Sequence, residues 1–176
     1  MNPIEEFVNE CLSAVTEDQS VTAVKEVVER AARNRSLEEA LTEKPGVRVF
    51  HCSDDLTVAH VVIPTGAPRS LPHDHRMWAV IGIARGKEAN EFFRRDDKTL
   101  VASGGRVLDE GEVLAMGDNT IHSVGNPLTH SLSSALHVYG GDLVNVERSM
   151  WCLPDWHEEP YDATKVIGAP FEDASL

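Results

Sequence analysis

No apolar run in this sequence approaches the ~18 residues that a membrane-spanning helix needs, so no helical membrane span is expected. Cysteine is scarce: Cys11, Cys52 and Cys152 are far apart, odd in number and free of CxxC spacing. Neither a disulfide framework nor a sulfur-ligated zinc is indicated, and the three read as reduced thiols. Positive charge is also short, with 16 Lys and Arg against 29 Asp and Glu and a formal net charge of −13. Such a surface repels a phosphate backbone, so nucleic acid is not an expected partner. The first residues, Met1 to Glu6, are acidic where a secretory signal is basic and then apolar, which points to the cytoplasm. Solenoid repeats and low-complexity segments are absent.

What is present suits one domain, since 176 residues fall within the roughly 100–200 of a typical one. Residues 1–44 form an expected helical segment. Ile4, Phe7, Val8, Cys11, Leu12 and Val15 recur at the spacing that lines one helix face, and Val21, Val24, Val27, Val28 and Ala31 mark a second helix with Ser20 as its cap. Ser36, three residues before Glu39, has the pattern of a capping box for a third, and Pro45-Gly46 ends the helices. From there the chain changes to short β-branched runs separated by turn residues, as in Leu56–Ile63, Trp78–Ile83 and Ser134–Tyr139, which predicts a small barrel or sandwich over 45–160. The Trp- and Pro-rich stretch after Tyr139 reads as irregular chain wrapping the barrel. Residues 161–176 read as a loose acidic tail.

Alternation along a strand sends His73 and His75 to one face and Asp74 to the other, so two imidazoles can meet one metal. A third histidine, His122, follows a turn-rich stretch, Gly117-Asp118-Asn119-Thr120. By itself a His-x-His pair is also compatible with a hydrogen-bonded core pair.

The segment from Gly111 to Asn126 resembles the second cupin motif, a glycine, a turn, a histidine and an asparagine four residues on, and Gly66 to Gly86 resembles the first. The resemblance implies a mainly β cupin double-stranded β-helix, a jelly-roll barrel, behind an N-terminal helical segment, with His73, His75 and His122 as metal ligands. Ordinary cupins add a glutamate ligand where this chain has Ala79 and Val80, so three neutral ligands remain. That pattern, with Pro72–Gly82 and Leu136-His137-Val138-Tyr139-Gly140, resembles the cysteine dioxygenase and 3-mercaptopropionate dioxygenase group. The group implies Fe(II), a small-molecule thiol and O2, with Zn, Ni or Mn as other divalent occupants. A cation held by neutral ligands favours an anionic substrate such as a thiolate.

Relatives of that group carry Ser-x-His-x-Tyr where this chain has Ala135, His137 and Tyr139, so the relay lacks its first member and His137 must find another partner. Ser134 cannot replace it, being one residue out of phase. Tyr139 reads as a donor toward substrate or oxygen, or else as a buried structural tyrosine. Arg48 lies where cysteine dioxygenase carries its carboxylate-binding arginine, and a strand-surface role is equally compatible; Arg69 and Arg76 are alternatives for the task. Cys52 reads as a pocket thiol or an inert buried one. His51, His60, His130 and His157 lack a partner at ligand spacing and read as structural or exposed. A cupin lyase or isomerase, or a metal-containing sensor, are competing functional classes. Cupin barrels often pair through sheet edges, which keeps a homodimer among the expectations.

Overall fold

The computed structural model describes residues 2–97, 99–168 and 171–173. Three helices come first: α1 (Pro3–Ala14), α2 (Ser20–Ala31) and α3 (Arg35–Ala40). Asn2 caps α1 by accepting from the Ile4 amide at 3.0 Å, while Glu5 reaches back to the Asn2 amide at 3.2 Å. The other two starts differ from expectation. Ser20 lies inside α2, whose cap position is Gln19 with no side-chain bond. Asn34, not Ser36, caps α3, because its carboxamide reaches the Leu37 amide at 3.2 Å and starts the helix one residue before Ser36.

The strands follow in order: β1 (Gly46–Cys52), β2 (Thr57–Ile63), β3 (His73–Asp74), β4 (Ala79–Arg85), β5 (Lys87–Asp96), β6 (Thr99–Asp109), β7 (Val113–Met116), β8 (Ile121–Gly125), β9 (Ser133–Tyr139), β10 (Ser149–Cys152) and β11 (His157–Pro160). A short helix α4 (Ala163–Val166) and a strand β12 (Glu172–Asp173) complete the described chain. They form two six-stranded sheets, ordered β12-β1-β2-β9-β4-β7 and β11-β10-β3-β8-β5-β6. Every pairing is antiparallel except β1 with β12. This is the cupin double-stranded β-helix.

Two expectations are corrected here. The stretch after Tyr139 is not all irregular, since β10 and β11 form a hairpin that extends the second sheet. Nor is the tail wholly loose: α4 and β12 lie within it, and residues 174–176 fall outside those described.

The first sheet separates the core into two layers. Val58, Val80, Leu136 and Val138 face α1 and α2, where they meet Phe7, Val8, Val24 and Val28. Ala59, Val61, Ala79, Ile81, Ala135 and Tyr139 face the opposite way, into the barrel. Close approach fixes two glycines. Gly86 holds φ +78 in the turn from β4 to β5, a conformation that costs side-chain-bearing residues. A Cβ at Gly140 would fall within the indole of Trp78, whose carbonyl accepts from the Gly140 amide at 3.0 Å.

Gly140→Ala is therefore expected to destabilise the fold by about 1–3 kcal/mol, the usual cost of overpacking a rigid contact. Urea unfolding measures it, and an unchanged midpoint would show that Trp78 repacks freely.

Candidate metal centre

Strand pairing builds the site. β3 and β8 run antiparallel with His73 and His122 as directly opposed Cα partners, and His75 follows two residues on. The three imidazoles offer nitrogens that all lie within 4.8 Å of one another, and all three side chains are buried. His73 Nδ1–H donates to the Leu71 carbonyl at 2.9 Å, and His122 Nδ1–H donates to Asn90 Oδ1 at 2.8 Å. Both rings are thereby held in the tautomer that leaves Nε2 with a lone pair. His122 Nε2 lies 3.3 Å from His75 Nε2. Two ligands on one ion with bonds of about 2.1 Å are separated by ~3.0–3.4 Å, so the spacing fits a shared cation.

Electrostatics favours the same state. Burial, then the nearby His122 ring, holds His73 well below its ordinary pKa, and the same causes act on His75. Burial brings His122 down to about 4 even though Glu88 pulls the other way. Neutral imidazoles at neutral pH are what a divalent metal requires.

Asp74 points away from the ligands, as alternation predicts, and fastens the short strand from outside. Its carboxylate accepts from the Ser149 amide at 2.8 Å and pairs with Arg76 at 2.9 Å. Arg76 holds φ 60, a strained turn directly after His75, and its side chain lies outside the cavity.

On the facing sheet, His137 and Tyr139 project from β9 toward the imidazoles, with the Tyr139 and His75 rings T-shaped at 4.9 Å between centroids. The partner missing from the sequence motif is supplied by Glu88, which is fully buried on β5. Its Oε2 lies 3.3 Å from His137 Nε2, and its Oε1 accepts from Asn90 Nδ2 at 3.0 Å. Burial raises the carboxyl's pKa, but His137 and Asn90 outweigh it and hold the group below its ordinary value. An ionised Glu88 only accepts, so His137 Nε2 carries a proton, and His137 Nδ1 lies 2.9 Å from the Tyr139 hydroxyl. One carboxylate thus orients a ligand histidine through Asn90 and the tyrosine through His137. Ser134 faces the helices instead, where its hydroxyl meets His60 Nε2 at 2.8 Å.

The arginine expectation is corrected. Arg48 pairs across β2 with His60, on the helix-facing side of the sheet, and its neighbour Val47 lines the cavity. Arg69 is turned to the Ala89 carbonyl at 3.1 Å. The arginine that does line the cavity is Arg148, in the turn before β10. It is 7% exposed, stacked over Tyr161 at 3.2 Å from the ring centroid, and donates to the Asp74 carbonyl at 3.3 Å. None of the ion pairs among the described residues involves it. Val61, Leu143, Ile167 and Phe171 complete apolar walls around a cavity of about 30 Å³, the space of one or two waters. Cys52 is exposed and lies outside it, bonded to Asp142 at 3.2 Å. Asn126 serves its loop, bonding the Ile63 and Ser131 carbonyls.

No family model matches the sequence. Among solved structures, the chain is similar to an RmlC-like cupin family protein with a double-stranded β-helix fold from Methanocaldococcus jannaschii, at 14% identity over 58% of this chain and 84% of that one, with a TM-score of 0.47. It is similar to a cupin superfamily protein from Desulfitobacterium hafniense at 15% identity, over 60% of this chain and 88% of that one, with a TM-score of 0.47. The DMSP lyase DddQ from Ruegeria pomeroyi matches at 18% identity and a TM-score of 0.43, over 56% of this chain and 44% of the lyase, less than half its length. The likeness is one of fold alone. The two sheets and the three buried imidazoles together define a double-stranded β-helix whose three-histidine site can hold a divalent metal. Among the described residues, no helix is long and apolar enough to cross a membrane.

The buried rings make stability depend on pH. His122 and His60 have folded values near 4 against an ordinary 6.5, so their contribution is complete above 6.5 and is lost progressively as the pH falls toward 4. The metal-free protein is expected to show a lower urea midpoint at about pH 5 than at about pH 7. A flat midpoint across that range would mean that the rings are not buried as neutral bases.

Proposed function

We propose that the protein is an iron-dependent thiol dioxygenase acting on a short thiol that also carries a carboxylate. The observation that supports this most is the charge balance of the cavity. Its candidate ligands are three neutral imidazoles with no carboxylate among them, and the same cavity holds Arg148 as a buried cation without an acidic partner among the described residues. A divalent ion with neutral ligands keeps its whole charge, and a buried guanidinium is costly until an anion pairs with it. A small molecule with a thiolate at one end and a carboxylate at the other compensates both.

When bound, a ferrous ion supplies the redox chemistry that joins thiolate sulfur to O2. Both oxygen atoms of one O2 end on the sulfur, which gives a sulfinate and needs no external reductant. The protein's own residues position and enclose. Arg148 grips the carboxylate with two parallel hydrogen bonds while Tyr161 holds the guanidinium plane. Tyr139 keeps its proton, because burial pushes the hydroxyl's pKa well up, and is available to donate toward the reacting groups. Glu88 and His137 fix the direction of that hydroxyl. The apolar walls keep bulk water from the reactive sulfur and favour a substrate of few atoms.

The test is anaerobic loading with Fe(II) followed by O2 uptake with cysteine, 3-mercaptopropionate and cysteamine. Uptake is expected with the carboxylate-bearing thiols and much less with cysteamine, and Tyr139→Phe should keep the metal and lower turnover. Silence with every thiol would redirect the reading to a lyase, an isomerase or a sensor.

Arg148→Ala is expected to raise KM for the carboxylate-bearing thiols by about 10- to 100-fold, the value of a hydrogen bond to a charged group, while leaving cysteamine unaffected. Equal effects on both kinds of thiol would remove Arg148 from substrate binding.

A further inference from the structure

The β10–β11 hairpin carries a second group of ligand-type side chains, remote in character from the buried histidines. Cys152 and His157 are directly opposed Cα partners, and Glu159 follows His157 by two residues, so the pleat places all three on one face. Their Sγ, ring nitrogen and carboxylate oxygen lie within 4.8 Å of one another. Glu158, between two of them, belongs to the other face, where Ser149 and Arg95 hold it.

The His157 ring is held between two carboxylates, one of which stands behind it as in a supported metal ligand. Its Nδ1–H donates to Asp155 Oδ1 at 2.7 Å, which directs Nε2 toward Glu159 Oε1, also at 2.7 Å. A carboxylate behind the ring is the usual support of a ligating histidine. Lys165 occupies the far oxygen of Glu159 at 2.8 Å, so this carboxylate can give one oxygen to a cation and keep the other on the ammonium. The cluster is open to solvent, with the His157 side chain 48% exposed, so an ion can reach it.

We propose that Cys152 Sγ, His157 Nε2 and Glu159 Oε1 form a second metal site for a thiophilic divalent cation of the zinc type, with solvent as the fourth ligand. One sulfur, one nitrogen and one oxygen in a tetrahedral arrangement suit Zn2+, whose ligands sit ~2.0–2.3 Å away. The cation displaces the proton of the Cys152 thiol and the one that His157 Nε2 shares with Glu159, and both leave to solvent. The sequence offers no CxxC or His-x-His at this place. A five-residue separation becomes a contact only because the chain turns back at 153–156. The site is independent of the proposed dioxygenase activity.

Cobalt reports the difference between the two centres, because only a thiolate ligand gives Co2+ a strong sulfur-to-metal charge-transfer band in the near ultraviolet. Metal-free protein titrated with Co2+ is expected to develop that band within two equivalents, one for each centre, and added Zn2+ should remove it. Cys152→Ser should abolish the band, Cys52→Ser and His122→Ala should retain it, and Asp155→Asn should weaken binding by about 10- to 100-fold. Absence of the band in the wild type, or its survival in Cys152→Ser, would overturn the proposal. Should His122→Ala fail to fold, the wild type and Cys152→Ser decide the matter between them.

Discussion

The pairing of β3 with β8 is the contact on which the candidate centre depends. It is two residues long, yet it sets His73 directly opposite His122 and brings their rings within 4.8 Å between centroids. Three buried imidazoles repel one another once two of them take a proton, and the short strand that carries His73 is restrained from both sides. Met150 of β10 pairs with His73 on one side, and β5 backs His122 on the other. Asp74 adds the third restraint by accepting from the Ser149 amide.

Buried polar groups here are held by a single carboxylate. Glu88 receives Asn90 on one oxygen and His137 on the other. An ionised group with no exposed surface is costly unless its oxygens are satisfied, and this one is satisfied by the two side chains that orient the site. The relay, truncated at Ala135, is therefore completed from a different strand.

Much of this was legible in the sequence, and the failures have physical causes. Period-two alternation sufficed to put His73 and His75 on one face, and the turn residues before His122 placed the third ring. Arg48 was misassigned because its facing depends on the partner strand: the register with His60 turns it to the helices. Arg148 was missed because it sits in a short connection without periodicity, where no local rule says what faces inward. Glu88 was missed because a glutamate near Lys87, Glu91 and Arg94 reads as a solvated strand, and its burial arises only when β8 and β9 close over it. The start of α3 slipped because Asn34, two residues before Ser36, is the side chain that reaches the Leu37 amide, and α2 begins after a residue that makes no side-chain cap.

The two sheets contribute different kinds of residue. One supplies His73 and His122, while the other supplies His137 and Tyr139 and is backed on its outer surface by α1 and α2. The ligand rings and the aim of the hydroxyl thus arise in separate layers, and Glu88, which meets both Asn90 and His137, ties one to the other. A shift in how the helices press on their sheet is therefore passed across the barrel through one buried carboxylate.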